Sequence, residues 1–383
     1  MDNNLYLNPN RRHDFVLFFD VTDGNPNGDP DAGNLPRFDP ETNYGFVTDV
    51  SLKRKIRDYV AMFYNKEIYI QSKEALNTLY NKAAIDLKYE LPAVEIIDDG
   101  LWKWVCDEAG AIFDTSIVDG NRIVEYKHRF EEKTKNKQKS EIINRIKGEE
   151  IELPKEIEDN FKKLIEKIVD KNSEIAELTK KDREVISNYM VRKYYDIRMF
   201  GAVLTAGTNA GQIRGPLQLT FARTLSPIFP RDITITRIAV TKESDKRKKD
   251  TEMGRKHFIH YGLYRAHGFY NPKLAERLIN GEDGFKNPVK DEDLKILWDA
   301  LQNMFEVHHT SSSGEVRFRG LYIFSHDDET GKGKAHAHKL FDLVSTGLKN
   351  QSNPPRSFDD YYPLPEQKSI VLPEGIQLKT FGV

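Results

Sequence analysis

The sequence predicts an α+β fold, and three observations predict it. Short aromatic and β-branched runs bounded by turn residues, such as HDFVLFFDVT at 13–22, have the composition of buried strands. Two stretches, TDVSLKRKIRDYVAMFY at 48–64 and DEDLKILWDALQNMFE at 291–306, carry apolar residues at helical spacing. Their order along the chain fits the βαββαβ pattern of a ferredoxin-like sheet of the RNA-recognition type, heavily decorated. Such a sheet does not by itself establish RNA binding.

The first strand spans about 14–21. A loop rich in Asn, Asp, Gly and Pro follows, then the helix, which Thr48 or Asp49 can cap. Leu52, Ile56, Tyr59, Val60 and Phe63 fall on one stripe of that helix, and Lys53, Arg54 and Arg57 lie on the other side. EIYIQ at 67–71 reads as a short strand. Residues 71–185 differ in character, with helical stretches such as KEALNTLYNKAAIDL and a charged block from Glu131 to Arg183 in which Phe161, Leu164, Ile165 and Ile168 form a narrow stripe. This reads as a helical insertion. The core resumes with a helix in SNYMVRKYYDIRMFGAVL, a glycine-punctuated loop in AGTNAGQIRGPLQLTFARTL leading into a strand, and the alternating strand ITITRIAVT. KESDKRKKDTEMGRK reads as the tip of a projecting hairpin that returns as HFIHYGLYRAHGFY. A helix at KLAERLIN, the helix at 291–306, a last strand in FRGLYIFSHDD, and an extended tail from about Gln351 complete the chain.

At 383 residues the chain is long enough for one large decorated domain or two to three domains. No run approaches a membrane span, and MDNNLYLNPNRRHDF lacks the apolar core of a signal peptide, so a cytoplasmic protein is expected. Cys106 is the sole cysteine, which excludes an intrachain disulfide and a cysteine-based zinc site. The formal net charge of -2 conceals segregation: Arg192 to His267 holds 15 Lys and Arg against 6 Asp and Glu. A local basic surface follows from that imbalance.

DGNPNGDPDAGN, residues 23–34, has the oxygen-ligand spacing of an EF-hand from Asp23 to Asp31. Asn34 stands where the bidentate Glu belongs, and a strand rather than a helix precedes it, so a metal is not expected. Four other constellations bear on function. Cations on the helix can follow a phosphate backbone, with Asn25, Asn27, Asn34 and Arg37 supplying donors beside its N-terminus; solubility alone is the plainer explanation. Gly207, Gly211 and Gly215 permit close backbone approach to a ligand, with Asn209, Gln212 and Arg214 as donors, although the loop lacks a P-loop ending and a structural turn is equally compatible. Met253, among Lys246 to Lys249, Arg255 and Lys256, is suited to wedge into stacked bases, where a solvated tip is the alternative. His257, His260 and His267 titrate near neutrality, yet His257 and His260 face opposite sides of a strand, and no fixed partner makes them a catalytic set.

FDVTDGNPNGDPDAGNLPRFDPET, GFVTDVSLKRKIRDYV, YDIRMFGAV, GQIRGPLQLTFARTLSPI, ITITRIAV and MGRKHFIHYGLYRAHGF, in that order, resemble the backbone subunit of type I CRISPR Cascade complexes, the Cas-seven family, and most closely its type I-C branch. The resemblance implies a hand-like protein. Its RNA-recognition palm would be split between residues 1–70 and 186–345, with fingers at 71–185, a thumb hairpin at about 241–257 and a C-terminal extension at 346–383. Copies would stack head to tail along one guide RNA (crRNA), each thumb displacing a nucleotide, and guide bases would pair with target DNA in an R-loop. Partners implied are the other Cascade subunits and a recruited helicase-nuclease, with no cofactor. Asn34, Arg37, Lys53, Arg54, Arg57, Asn209, Gln212, Arg214, Arg255 and Lys256 are the guide contacts it implies, with Met253 as the thumb wedge. Asp245 and Asp250 raise the alternative of an endoribonuclease that processes guides or cuts target RNA; the surrounding motifs favour a non-catalytic subunit.

Overall fold

The computed structural model describes residues 4–72, 76–175, 178–204, 212–237, 252–281 and 284–383. The chain divides into two compact units, one of residues 1–68, 198–201 and 214–383, the other of residues 69–197 and 202–213.

The first unit is built on an antiparallel sheet whose path runs Ile376–Phe381, Glu315–His326, His13–Gly24, Glu252–Tyr270, Ala222–Pro227 and Tyr44–Val47. Leu217–Leu219 and Arg231–Arg237 also pair with the long strand Glu252–Tyr270. His13–Gly24 lies at the centre because it is apolar on both faces; every residue from His13 to Val21 is buried. Its alternation sends successive side chains to opposite sides. Phe15 meets Trp298 edge-on at 5.2 Å and Phe19 meets Phe305 at 4.8 Å, on the side of helix Asp291–Asn303. That helix holds helix Asp49–Tyr64 through Asp299, whose carboxylate accepts from both Tyr59 and Tyr64 hydroxyls at 2.8 Å. Val16 and Phe18 point the other way, into a cluster with Tyr322, Phe324, Leu340, Phe341, Leu364 and Leu378. The C-terminal segment, including the short helix Ala337–Asp342, therefore covers the face of the sheet opposite those two helices, and its last strand, absent from the sequence expectation, extends the edge.

A register shift between Phe18 and Phe19 leaves Arg319 without a partner opposite them, a bulge in the strand Glu315–His326. The bulge aims the Arg319 guanidinium at buried Asp20, 2.7 Å away, while Tyr261 donates to the same carboxylate oxygen at 2.9 Å. Burying that carboxylate without charge-assisted partners would be prohibitive.

The second unit contains helices Leu76–Asp86, Asp99–Asp107, Lys135–Gly148, Glu158–Glu174 and Lys180–Lys193. Phe161, Leu164, Ile165 and Ile168 are buried as their spacing predicts, and Trp104 packs edge-on against Phe161 at 5.3 Å. Beside these helices the unit holds a three-stranded sheet of Ala93–Glu95, Phe113–Val118 and Asn121–Tyr126, which the reading of a helical insertion did not include. Asp119 and Gly120, both at positive φ, form the tight turn between the last two, and an Asp-Gly pair between β-prone runs is the local signal for it. EIYIQ is not a strand: Tyr69 and Ile70 donate their backbone N–H groups to the Asp196 carboxylate at 2.8 and 3.0 Å instead of to a neighbouring strand. KLAERLIN is helical only over Pro272–Ala275. Among the described residues no helix is long and apolar enough to cross a membrane.

Candidate nucleic-acid interface

The loop after the central strand folds onto itself and onto the helix that follows. Thr48 caps helix Asp49–Tyr64 by accepting from the Ser51 N–H. Asn27 Oδ1 in turn accepts from the Thr48 N–H and hydroxyl, each at 3.0 Å, so the loop is fastened to the helix start. Asn25 donates to the Asn34 carbonyl at 2.7 Å, and Arg37 pairs with Asp29 at 3.4 Å. Asn34 adopts the left-handed conformation, φ 69°, that Asn tolerates better than most residues. Asp23 faces His260 at 3.0 Å. Side-chain oxygens of Asp23, Asn27 and Asp29 are thus engaged with the protein, and among the described residues no group of three or more His, Cys, Asp or Glu is placed to hold a metal.

The helix does not present three equivalent cations. Arg57 is 7% exposed, its guanidinium 5.1 Å from the centre of the Phe200 ring, and the Lys53 ammonium lies 5.8 Å from the same ring. The wheel placed Arg57 on the outer side, but Phe200, distant in sequence, closes over that side. Phe63, assigned to the inner stripe, is exposed beyond the last buried turn and leans on Tyr59. Arg54 is exposed and pairs with Asp58; Lys53 pairs with Asp49. Of the three, Arg54 is exposed, Lys53 partly buried and Arg57 buried.

Asn209, Gly207 and Gly211 lie outside the described residues. Gln212 and Arg214 are exposed on a short strand. Gly215 is buried, and a Cβ there would overlap the backbone of Phe200 and Gly201. The close approach that this glycine permits is to the chain's own backbone, not to a ligand.

Arg231–Arg237 and the start of Glu252–Tyr270 form a two-stranded antiparallel ribbon, Arg231 opposite Phe258 and Thr236 opposite Met253. The cationic stretch 246–249, with Asp245 and Asp250, lies outside the described residues. Met253 stands opposite Thr236 on one arm of this ribbon and is 78% exposed. Arg255 lies on the same ribbon face and pairs with Asp232 at 3.3 Å, while Lys256 on the opposite face reaches Ser311. Ile233 and Ile235 are exposed on the Lys256 face.

The three histidines do not converge. His257 faces Asp232, His260 faces Asp23, and His267 stacks on Phe341 at 4.3 Å. Burial, and then the nearby Arg265 charge, push His267 down to about 4, which removes it as a base poised near neutrality. One edge feature has almost no local signature: exposed Phe221 stacks on Phe46 at 5.8 Å, and the Arg223 guanidinium lies 5.9 Å from that ring. Its only signal in the sequence is the aromatic–basic composition of TFAR, too short to stand alone.

A sheet of this strand order, with helices Asp49–Tyr64 and Asp291–Asn303 on one face, defines an α+β protein. A family profile described as CRISPR-associated protein Cas7 matches residues 11–364. The chain belongs to the CRISPR-associated protein Cas7 family. A CRISPR-associated protein Cas7 of Haloferax volcanii is 36% identical over 88 residues, which span 23% of this chain and 25% of that relative. Two solved structures are similar at low identity. A chain of a CRISPR RNA-guided surveillance complex in a pre-nicking state is 14% identical, with 82% of this chain and 78% of that one covered and a TM-score of 0.43. A chain of a second CRISPR RNA-guided surveillance complex is 12% identical, with 87% and 84% covered and a TM-score of 0.35.

Proposed function

We propose that this chain is a non-catalytic backbone subunit that binds guide RNA in a type I Cascade, of the type I-C branch. The observation that carries the reading is the family match over residues 11–364. The sheet supports it: strands His13–Gly24, Ala222–Pro227, Glu252–Tyr270 and Glu315–His326, taken as first to fourth, lie in the order fourth, first, third, second, with helices after the first and third. That is the ferredoxin-like order expected of an RNA-recognition palm, and the ribbon is its thumb. Copies stack head to tail on the guide, target DNA is read by pairing with guide bases, and the remaining Cascade subunits and a helicase-nuclease complete the cytoplasmic assembly.

Where the guide lies follows from what is covered. An ordinary RNA-recognition sheet stacks bases on its helix-free face. Here Phe341, Leu364 and Leu378 occupy that face. Guide contacts therefore come from loop, edge and ribbon: Asn34 and Arg37, Lys53 and Arg54 at the first helix, Gln212 and Arg214, and Arg255, Lys256 and Met253. Arg57 acts from beneath, by holding Phe200 against the helix.

The test is binding of guide-length single-stranded RNA across a salt series, with the recovered RNA run on a denaturing gel. Intact RNA, cooperative binding that grows with RNA length, and a slope that falls when Arg54 and Arg214 are replaced by Ala are expected. Metal-dependent cleavage lost in Asp250→Ala would move the assignment to an endoribonuclease.

A further inference from the structure

Where the ribbon leaves the main sheet, the first unit has a cleft of 240 Å³, and none of its lining residues is among the guide contacts named above. The long strand passes at this point from pairing with Arg231–Arg237 to pairing with His13–Gly24, Phe258 belonging to the first ladder and Ile259 to the second. The cleft is lined by Phe229, Arg231, His260, Tyr261, Pro355 and Arg356, with neighbouring prolines and Ile228, and no carboxylate is among its lining residues. Phe229 is 54% exposed although it is large and apolar. Arg231 and Arg356 are exposed too, and among the described residues neither guanidinium has a hydrogen-bond or ion-pair partner. Arg54 and Arg255, by contrast, are paired locally, with Asp58 and Asp232.

Two unneutralised guanidinium groups, a free aromatic face and rigid proline walls make a particular combination. The cations favour a phosphate. Phe229 offers a π-face to any base, and its ring is not committed to the core. The volume lies below the roughly 300–1,000 Å³ of pockets for drug-sized ligands, so it admits one ring system rather than a stretch of chain. We propose that this cleft is a binding site for a single unstacked nucleotide, its base against Phe229 and Pro355 and its phosphate held by Arg231 and Arg356. If the nucleotide belongs to a bound strand, the proposal deepens the guide-RNA reading and rests on it. A free nucleoside monophosphate has the same chemistry and needs no such reading.

The experiment uses the full chain with two probes, AMP alone and a guide-length RNA carrying 2-aminopurine at successive positions. It compares wild type with Phe229→Ala, Phe229→Tyr and Arg231→Gln/Arg356→Gln, each checked for an unchanged melting temperature. Saturable AMP binding that weakens about 10-fold in Phe229→Ala, is kept in Phe229→Tyr and is lost in the double variant supports the site. Bright 2-aminopurine positions that change in the same variants assign the nucleotide to the strand; AMP binding with unchanged RNA fluorescence assigns it to a free nucleotide. Failure of wild type to bind AMP, together with 2-aminopurine signals indifferent to every variant, overturns the cleft while leaving RNA binding intact. Displacement of AMP by an acidic peptide of equal charge, as effective in Phe229→Ala as in wild type, would make the cleft a protein-docking site and also overturn it. Absence of RNA binding by wild type with normal AMP binding defeats the guide reading and not the cleft.

Discussion

Arg54 and Arg57 stand three residues apart on one helix, and the structure assigns them opposite fates. Arg54 is exposed and shares an ion pair with Asp58 across one helical turn. Pairs of this kind contribute only about 0.3–0.5 kcal/mol, so Arg54→Ala should shift the melting temperature by no more than about 2 °C. If its charge reaches a phosphate, the same change lowers the salt slope of single-stranded RNA binding by about 0.7. Arg57 is buried over the Phe200 ring at 5.1 Å. A desolvated cation–π contact contributes about 2 kcal/mol, so Arg57→Ala should lower the melting temperature by about 4–8 °C and leave the salt slope unchanged once folded protein is compared. Differential scanning fluorimetry and filter binding across a salt series measure both quantities on the same preparations. A lower slope with unchanged stability in Arg57→Ala would refute the buried assignment. An unchanged slope in Arg54→Ala would remove this helix from the RNA interface.

Three further outcomes follow from buried contacts. Asp293 accepts two hydrogen bonds from Arg198, at 2.7 and 3.0 Å, with both side chains almost fully enclosed. Asp293→Ala removes both bonds from that buried guanidinium and should lower stability in urea unfolding, by up to about 3–5 kcal/mol, whereas Asp293→Asn, which keeps an acceptor, should cost less. Gly215→Ala forces a methyl into the backbone of Phe200 and Gly201 and should destabilise by at least about 2 kcal/mol, with RNA binding by the surviving folded protein unchanged. His13 and His267 are each held neutral by burial, with pKa pushed down to about 4. Because the unfolded chain takes up these protons first, stability is full above about 6.5 and declines as pH falls toward about 4. His267→Phe, which preserves the stack on Phe341, should flatten that decline in melting temperature over the same acid range; an unaltered profile would mean that His267 is solvated.

Much of the architecture is written locally. A bounded aromatic and β-branched run places the central strand, helical spacing places the two helices that pack beside it, and a cap at Thr48 or Asp49 is identifiable from the neighbouring residues alone. The family, too, is a property of sequence, since ordered motifs across 11–364 carry it. What local pattern does not contain is which side of an element a distant residue will cover. A helical wheel ranks Arg57 as outward until Phe200 closes on it, and the continuous apolar run of residues 13–21 does not say that the second face belongs to the C-terminal segment. The same is true of the cleft: Phe229, Arg231, His260 and Arg356 come from three separate stretches of chain and meet only because the long strand changes partners there. Burial and convergence are sums over non-local contacts, so they are decided by the tertiary fold, while periodicity, capping and charge content are decided by the chain.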